Sequence, residues 1–143
     1  PNRAVLAGKR VVLIDDSIVR GTTSLKIVRM VREAGAKEVH LRSASPPIKW
    51  PDFYGIDMPE REQLLAANKS LEEMAKFLEV DSLGFLSVDG LYDALEAGQR
   101  DPATPQFTDH YFTGDYPTRL LDREIAEGRN AEDERQLTFL VDA

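Results

Sequence analysis

Two adjacent carboxylates, Asp15 and Asp16, run directly into Ser17-Ile18-Val19-Arg20-Gly21-Thr22-Thr23-Ser24. Carboxylate oxygens are natural partners for sugar hydroxyls or for a hard cation such as Mg2+. The second half of the stretch favours the opposite charge. A helix opening near Thr22 or Thr23 leaves its first backbone N–H groups unpaired and adds the positive end of its dipole. Gly21 lets the backbone bend and come close to a ligand, and Thr22, Thr23 and Ser24 supply hydroxyl donors. Together these groups suit a phosphate dianion. Asp15 and Asp16 would repel that phosphate, so they serve another part of the ligand. A phosphorylated sugar with Mg2+ satisfies both halves. The plainer alternative is an N-cap cluster on an ordinary strand–helix unit with solvated acids. It explains a strand ending in two aspartates but not the hydroxyl–glycine run attached to them.

The flanking pattern shows what must hold this stretch. Val11-Val12-Leu13-Ile14 is an unbroken aliphatic run, and Leu25, Val28 and Val31, flanked by Ile27, Met30 and Ala34, keep helical spacing until Gly35. This predicts strand, loop and helix. The strand lacks polar alternation, so both of its sheet faces are expected to be covered, as in a parallel α/β sheet. In such sheets functional groups lie beyond the carboxyl ends of the strands, where Asp15 to Ser24 fall.

Further along, Glu38 to Ala44 alternates and predicts a second strand, with His40 on its polar side as a surface residue. Ser45-Pro46-Pro47 breaks it, and Trp50, Phe53 and Tyr54 gather in a loop, an aromatic cluster read as local packing. Asp57, with Glu60 three residues later and Pro59 in the first turn, predicts a helix start; Leu64, Leu65 and Ala67 give it a short apolar face. Ser70 to Glu73 is a capping box, followed by a core stripe of Leu71, Met74, Ala75 and Leu78. Leu83 to Ser87 reads as a third strand, and Val88 to Ala97 as a helix ended by Gly98, with Asp93 and Glu96 on a solvated face. Asp101 to Pro105 is a loop. Asp122 to Gln136 is densely charged, a surface helix or tail, and Leu137 to Val141 is apolar and β-prone and should dock onto something.

Bulk properties exclude several classes. A length of 143 residues suits one compact domain. With 18 Lys and Arg against 25 Asp and Glu, the net charge of −7 disfavours a nucleic-acid surface, and no basic block is present. No stretch has the length and apolarity of a membrane span or a signal peptide. The absence of cysteine removes disulfides, thiolate metal sites and a cysteine nucleophile from these residues. A cytoplasmic setting is the expectation.

Val11-Val12-Leu13-Ile14-Asp15-Asp16-Ser17-Ile18-Val19-Arg20-Gly21-Thr22-Thr23-Ser24 resembles the phosphoribosyl pyrophosphate (PRPP) signature of type I phosphoribosyltransferases, in the variant found in the glutamine PRPP amidotransferase family. The resemblance continues through the segments 45–59, 85–91 and 111–118 and so covers most of the chain. It implies an α/β fold: part of a type I phosphoribosyltransferase (Rossmann-like) parallel sheet flanked by helices, with a helical C-terminal extension. Residues 1–100 would be the C-terminal half of the transferase domain and 101–143 the extension. A glutaminase domain and the first half of the transferase domain would lie outside this chain.

The resemblance also implies an activity. Ammonia from glutamine displaces pyrophosphate at C1 of PRPP to give 5-phosphoribosylamine, the first step of purine synthesis. Asp15 and Asp16 would hold the ribose hydroxyls and Mg2+, and Ser17, Ile18, Val19, Arg20, Gly21, Thr22, Thr23 and Ser24 would form the 5′-phosphate loop. The groups that grip pyrophosphate, and any confidently catalytic residue, would lie upstream. Purine nucleotides would compete as feedback inhibitors, and a homo-oligomer is implied. Neither nucleic acid nor membrane is an expected partner. Some family members ligate an iron–sulfur cluster through cysteines, one of them where Asp52 stands here, so the resemblance points to the subgroup without a cluster; His110 is then read as packing rather than as a ligand.

Two other readings use the same acids. A response-regulator receiver domain also begins with an apolar strand ending in an acidic pair. Its phosphoacceptor, however, ends an apolar strand, whereas Tyr54-Gly55-Ile56 before Asp57 is no such strand. A non-catalytic PRPP-binding regulator would not need the Tyr111 to Thr118 match. A Walker A loop is excluded because no Gly-Lys-Ser/Thr occurs.

Overall fold

A computed structural model describes residues 1–58, 60–118 and 120; the segments 122–136 and 137–141 singled out above lie outside the described residues. The element order is α1 (Arg3–Leu6), β1 (Arg10–Asp15), α2 (Thr22–Glu33), β2 (Glu38–Ser43), a 3-10 turn (Arg61–Gln63), α3 (Leu65–Asn68), α4 (Leu71–Phe77), β3 (Ser82–Phe85), α5 (Val88–Ala94) and α6 (His110–Thr113). The three strands form a parallel sheet in the order β1-β2-β3. Val11 pairs with Val39, Leu13 with Leu41, and Leu41 with Leu83.

One face of this sheet carries the core. Val11 and Leu13 of β1, Val39 and Leu41 of β2, and Leu83 and Phe85 of β3 join Leu25, Val28 and Val31 of α2 with Met74 and Leu78 beside α4 in two apolar clusters. Val28, Val39 and Leu78 are fully buried. Truncating one such side chain to alanine typically costs about 2–5 kcal/mol, so these clusters dominate the stability of the scaffold under the loop.

The other face differs from expectation. Val12 is 59% exposed and Ile14 78% exposed, because no described element lies over that side of β1. The aliphatic run is therefore half-buried in this chain rather than covered on both faces. β1 is also an edge strand among the described residues.

α4 starts with the predicted capping box: Ser70 Oγ accepts the Glu73 N–H at 3.2 Å, and Glu73 Oε2 accepts the Ser70 N–H at 2.7 Å. Leu71, placed on the core stripe by periodicity, is 52% exposed. The helix is only seven residues long, and Met74 and Leu78 take the buried side. The helix expected from Asp57 does not form. Residues 57 and 58 are irregular, the first helical geometry is the turn at Arg61–Gln63, and the Asp57 carboxylate makes no capping hydrogen bond. His40 is not a free surface residue; its ring bridges Ser82 Oγ at 2.9 Å and Glu38 Oε2 at 3.1 Å.

After α5 the chain returns as a strap. The Tyr111 carbonyl accepts the Lys49 N–H at 2.9 Å and the Trp50 N–H at 3.1 Å, and Tyr116 Oη donates to the Pro51 carbonyl at 2.9 Å. Gly114 takes a φ of 82° against the Trp50 ring, where an added Cβ would come within 2.7 Å of Cε2. Only glycine combines that left-handed backbone with so close an approach.

Candidate functional site

β1 delivers Asp15 at its carboxyl end, and the loop after it lines a cavity of about 400 Å³. Asp15, Asp16, Ser17, Val19, Arg20, Gly21, Thr22, Thr23 and Ser24 all contribute to its wall. Ile18 is the exception among the predicted residues. It is 2% exposed and sits in the apolar cluster with Leu41 and Leu65, so it anchors the loop from below. The Val19 carbonyl accepts the Leu65 N–H at 2.9 Å and adds a second anchor.

Gly21 caps α2 with φ 74° and ψ −4°, and a Cβ there would approach Leu65 Cδ2 to 2.8 Å. The loop thus rests directly on the core. The first helical backbone bond here runs from the Leu25 N–H to the Gly21 carbonyl at 2.9 Å. The amides of Thr22, Thr23 and Ser24 find no acceptor among the described residues. Three free donors at the start of a 12-residue helix, with the exposed Thr22 and Thr23 hydroxyls beside them, form an anion cradle.

The acids face the same space with a different fit. Asp15 Oδ1 accepts the Asp16 N–H at 3.1 Å, and its Oδ2 accepts the Ser24 hydroxyl at 3.3 Å. Asp16 Oδ1 accepts the Ser17 N–H at 2.6 Å. Asp16 Oδ2 has no described donor, and the residue lines the cavity. No cluster of three metal-ligating side chains occurs among the described residues. Two carboxylates still fit Mg2+, which keeps much of its water and is commonly held by one or two carboxylates together with ligand phosphates.

A third carboxylate, Asp57, whose spacing to Glu60 predicts a helix cap, lines the cavity instead. In the sequence it follows the aromatic, glycine-containing run Phe53-Tyr54-Gly55-Ile56, inside the segment 45–59 that carries the family resemblance.

No family model matches the chain. Over 123 residues, 85% of its length, the chain is 68% identical to the amidophosphoribosyltransferase of Rhizobium etli, covering 25% of that protein. It is 51% identical over 128 residues to amidophosphoribosyltransferase 1, chloroplastic, of Arabidopsis thaliana, covering 90% of this chain and 22% of that one. The structure of the B. subtilis glutamine PRPP amidotransferase complexed with ADP and GMP superposes with a TM-score of 0.75 at 50% identity, over 82% of this chain and 26% of that one. The chain belongs to the amidophosphoribosyltransferase family. It spans about a quarter of the length of the curated relatives it matches.

Within this amidophosphoribosyltransferase scaffold, a second polar cluster is built on Asp52, in the turn that leads to Asp57. Asp52 and His110 face each other with Oδ1 to Nε2 at 3.0 Å, with side chains 1% and 0% exposed. Burial pushes the Asp52 carboxyl up, but the Ile56 and Tyr54 amides and the His110 ring outweigh it, so its pKa lies below the ordinary carboxyl value. The His110 ring packs between Tyr111, at 4.0 Å between centroids, and Tyr116, at 5.0 Å. His110 is packed among aromatic rings, as its sequence neighbourhood predicts, and the partner that fixes it lies 58 residues away in the chain.

Proposed function

We propose that this chain is the phosphoribosyl-binding part of an active amidophosphoribosyltransferase. In that reaction glutamine-derived ammonia attacks C1 of PRPP. The new C1–N bond replaces the C1–O bond to pyrophosphate, and the amine loses a proton. The products are 5-phosphoribosylamine, pyrophosphate and, from the donor, glutamate. The observation that carries the reading is one cavity lined both by an anion cradle at Thr22, Thr23 and Ser24 and by the Asp15–Asp16 pair. The family membership supports it.

In this assignment the amides from Arg20 to Ser24 and the Thr22 and Thr23 hydroxyls hold the 5′-phosphate. Asp15 and Asp16 accept hydrogen bonds from the ribose hydroxyls and are the candidate ligands of Mg2+. When bound, Mg2+ neutralises charge on the departing pyrophosphate. None of these residues is a strong general base, so the chain's contribution is binding and orientation of C1. Gly21, seated on Leu65, fixes the cradle before the ligand arrives. Purine nucleoside monophosphates carry the same ribose 5-phosphate and would compete for the same groups. The GMP named with the B. subtilis structure fits this reading.

Residues 1–100 are then the C-terminal half of the transferase domain and 101–143 a C-terminal extension, of which Tyr111 and Tyr116 bond back to the segment 49–51. The rest of the protein, and further copies of it, would cover the bare face of β1. The activity is placed in the cytoplasm.

The test is the double substitution Asp15→Asn with Asp16→Asn in the full-length protein. PRPP-dependent amine formation should fall by about 100-fold or more, on the scale of a lost positioning interaction, while glutamine hydrolysis persists. Unchanged transferase rates would refute the assignment.

A further inference from the structure

The Asp52 carboxylate sits where two segments meet. Its Oδ2 accepts the Tyr54 N–H at 2.9 Å and the Ile56 N–H at 2.7 Å, which closes the turn from 52 to 56. Its Oδ1 accepts from His110 Nε2, so the proton on the ring is assigned there. The other ring nitrogen, Nδ1, is buried with no partner among the described residues. An unsatisfied buried polar atom is unfavourable. A phenylalanine would fill the slot among Tyr54, Tyr111 and Tyr116 without it, so packing alone does not account for a histidine here. Its use lies in the hydrogen bond to Asp52.

The next residue after that turn is Asp57. It lines the cavity and has no hydrogen bond or ion pair to any described residue. The cradle in the same cavity is built for an anion, so a carboxylate in this wall would be repelled by phosphate. It becomes useful only toward a hydrogen-bond donor. Resting on the phosphoribosyl reading above, we propose that Asp52 and His110 are a positioning pair that sets Asp57 in the cavity wall, where it accepts a hydrogen bond from the sugar of the ligand. His110 belongs to the strap, so the strap helps to shape a site it does not touch.

Calorimetric titration of the full-length protein with guanosine 5′-monophosphate, in the presence of a chelator, tests this. Asp57→Asn should weaken binding about tenfold, the scale of one hydrogen bond to a charged group. His110→Phe should weaken it by a similar factor, and His110→Gln, which can still donate to Asp52, should recover most of the loss. The double variant His110→Phe with Asp57→Asn should bind no more weakly than Asp57→Asn alone, because both act through one carboxylate. Additive losses would overturn the proposal, as would a His110→Phe protein that melts earlier but binds normally. If His110→Phe does not fold, an unaltered Asp57→Asn protein is sufficient to overturn it. Wild-type protein that fails to bind the nucleotide would sink the phosphoribosyl reading and this inference with it. Normal wild-type binding with indifferent variants would sink this inference alone.

Discussion

Between Asp15 and Ser24 the chain leaves donors unused. Among the described residues the amides of Thr22, Thr23 and Ser24 find no acceptor and Asp16 Oδ2 no donor. Between Asp109 and Tyr116 most of the side-chain polar groups are used internally, His110 Nδ1 being the exception. Asp109 accepts from Tyr92 Oη at 2.9 Å and from Arg100 Nη2 at 3.1 Å, Arg100 reaches on to Asp115 at 2.8 Å, and His110 holds Asp52. The two regions have similar shares of polar residues but use them differently. Satisfied groups rigidify a scaffold, whereas unsatisfied groups at an opening await a ligand. The loop can be left unsatisfied because its Ile18, and Leu25 of α2 just after it, are tied into the core beneath it.

The contrast breaks most readily at the strap. Arg100→Ala would leave Asp109, 3% exposed, as a buried charge without its cation. Removing one partner of such a pair costs about 3–5 kcal/mol, and urea denaturation of the full-length protein should read a loss of that size. The same region should be acid-sensitive. Burial raises the Asp109 carboxyl, but Arg100 and Tyr92 outweigh it and hold its pKa below the ordinary 3.8. Asp52 shows the same net direction. Carboxyls with lowered pKa contribute stability that is fully present above their ordinary value and lost as pH falls through the lowered one. Unfolding monitored by near-UV dichroism of the Trp50 and tyrosine cluster should therefore set in below that value. Asp109→Asn should start less stable but show a shallower acid limb.

Gly21→Ala tests the other region. The left-handed backbone costs an L residue about 1–2 kcal/mol, and the new Cβ would press on Leu65 at 2.8 Å. Nucleotide affinity should fall more than the melting temperature does, because the cradle amides turn with Gly21. An unchanged affinity would mean that the loop is not preorganised. The smallest effect belongs to Arg61, whose guanidinium lies 4.2 Å from the centre of the Trp50 ring. Arg61→Ala should cost about 0.5–1 kcal/mol, as an exposed cation–π contact does, with no change in ligand binding.

Legibility in the sequence followed the range of the interactions. β1, the loop and α2 were readable because an aliphatic run, two acids and a helical stripe are local signals. The capping box at Ser70 was readable for the same reason. The helix expected at Asp57 failed although its local pattern was sound. Asp52, five residues earlier, takes the Tyr54 and Ile56 amides and holds a turn there instead. His110 was judged from its own neighbourhood, which holds no hint of Asp52. The aliphatic run of β1 promised two covered faces, and periodicity cannot say whether the covering elements are present.

That bare strand has a consequence for amide exchange. An edge strand in a parallel sheet directs alternate N–H groups toward its single neighbour and outward. In β1 every second amide should exchange rapidly with deuterium, while β2, paired on both sides, stays protected. Any body that pairs with β1 will slow its outward set and leave its inward set unchanged. The strand is therefore a residue-by-residue reporter of its own assembly, readable without a label or a ligand.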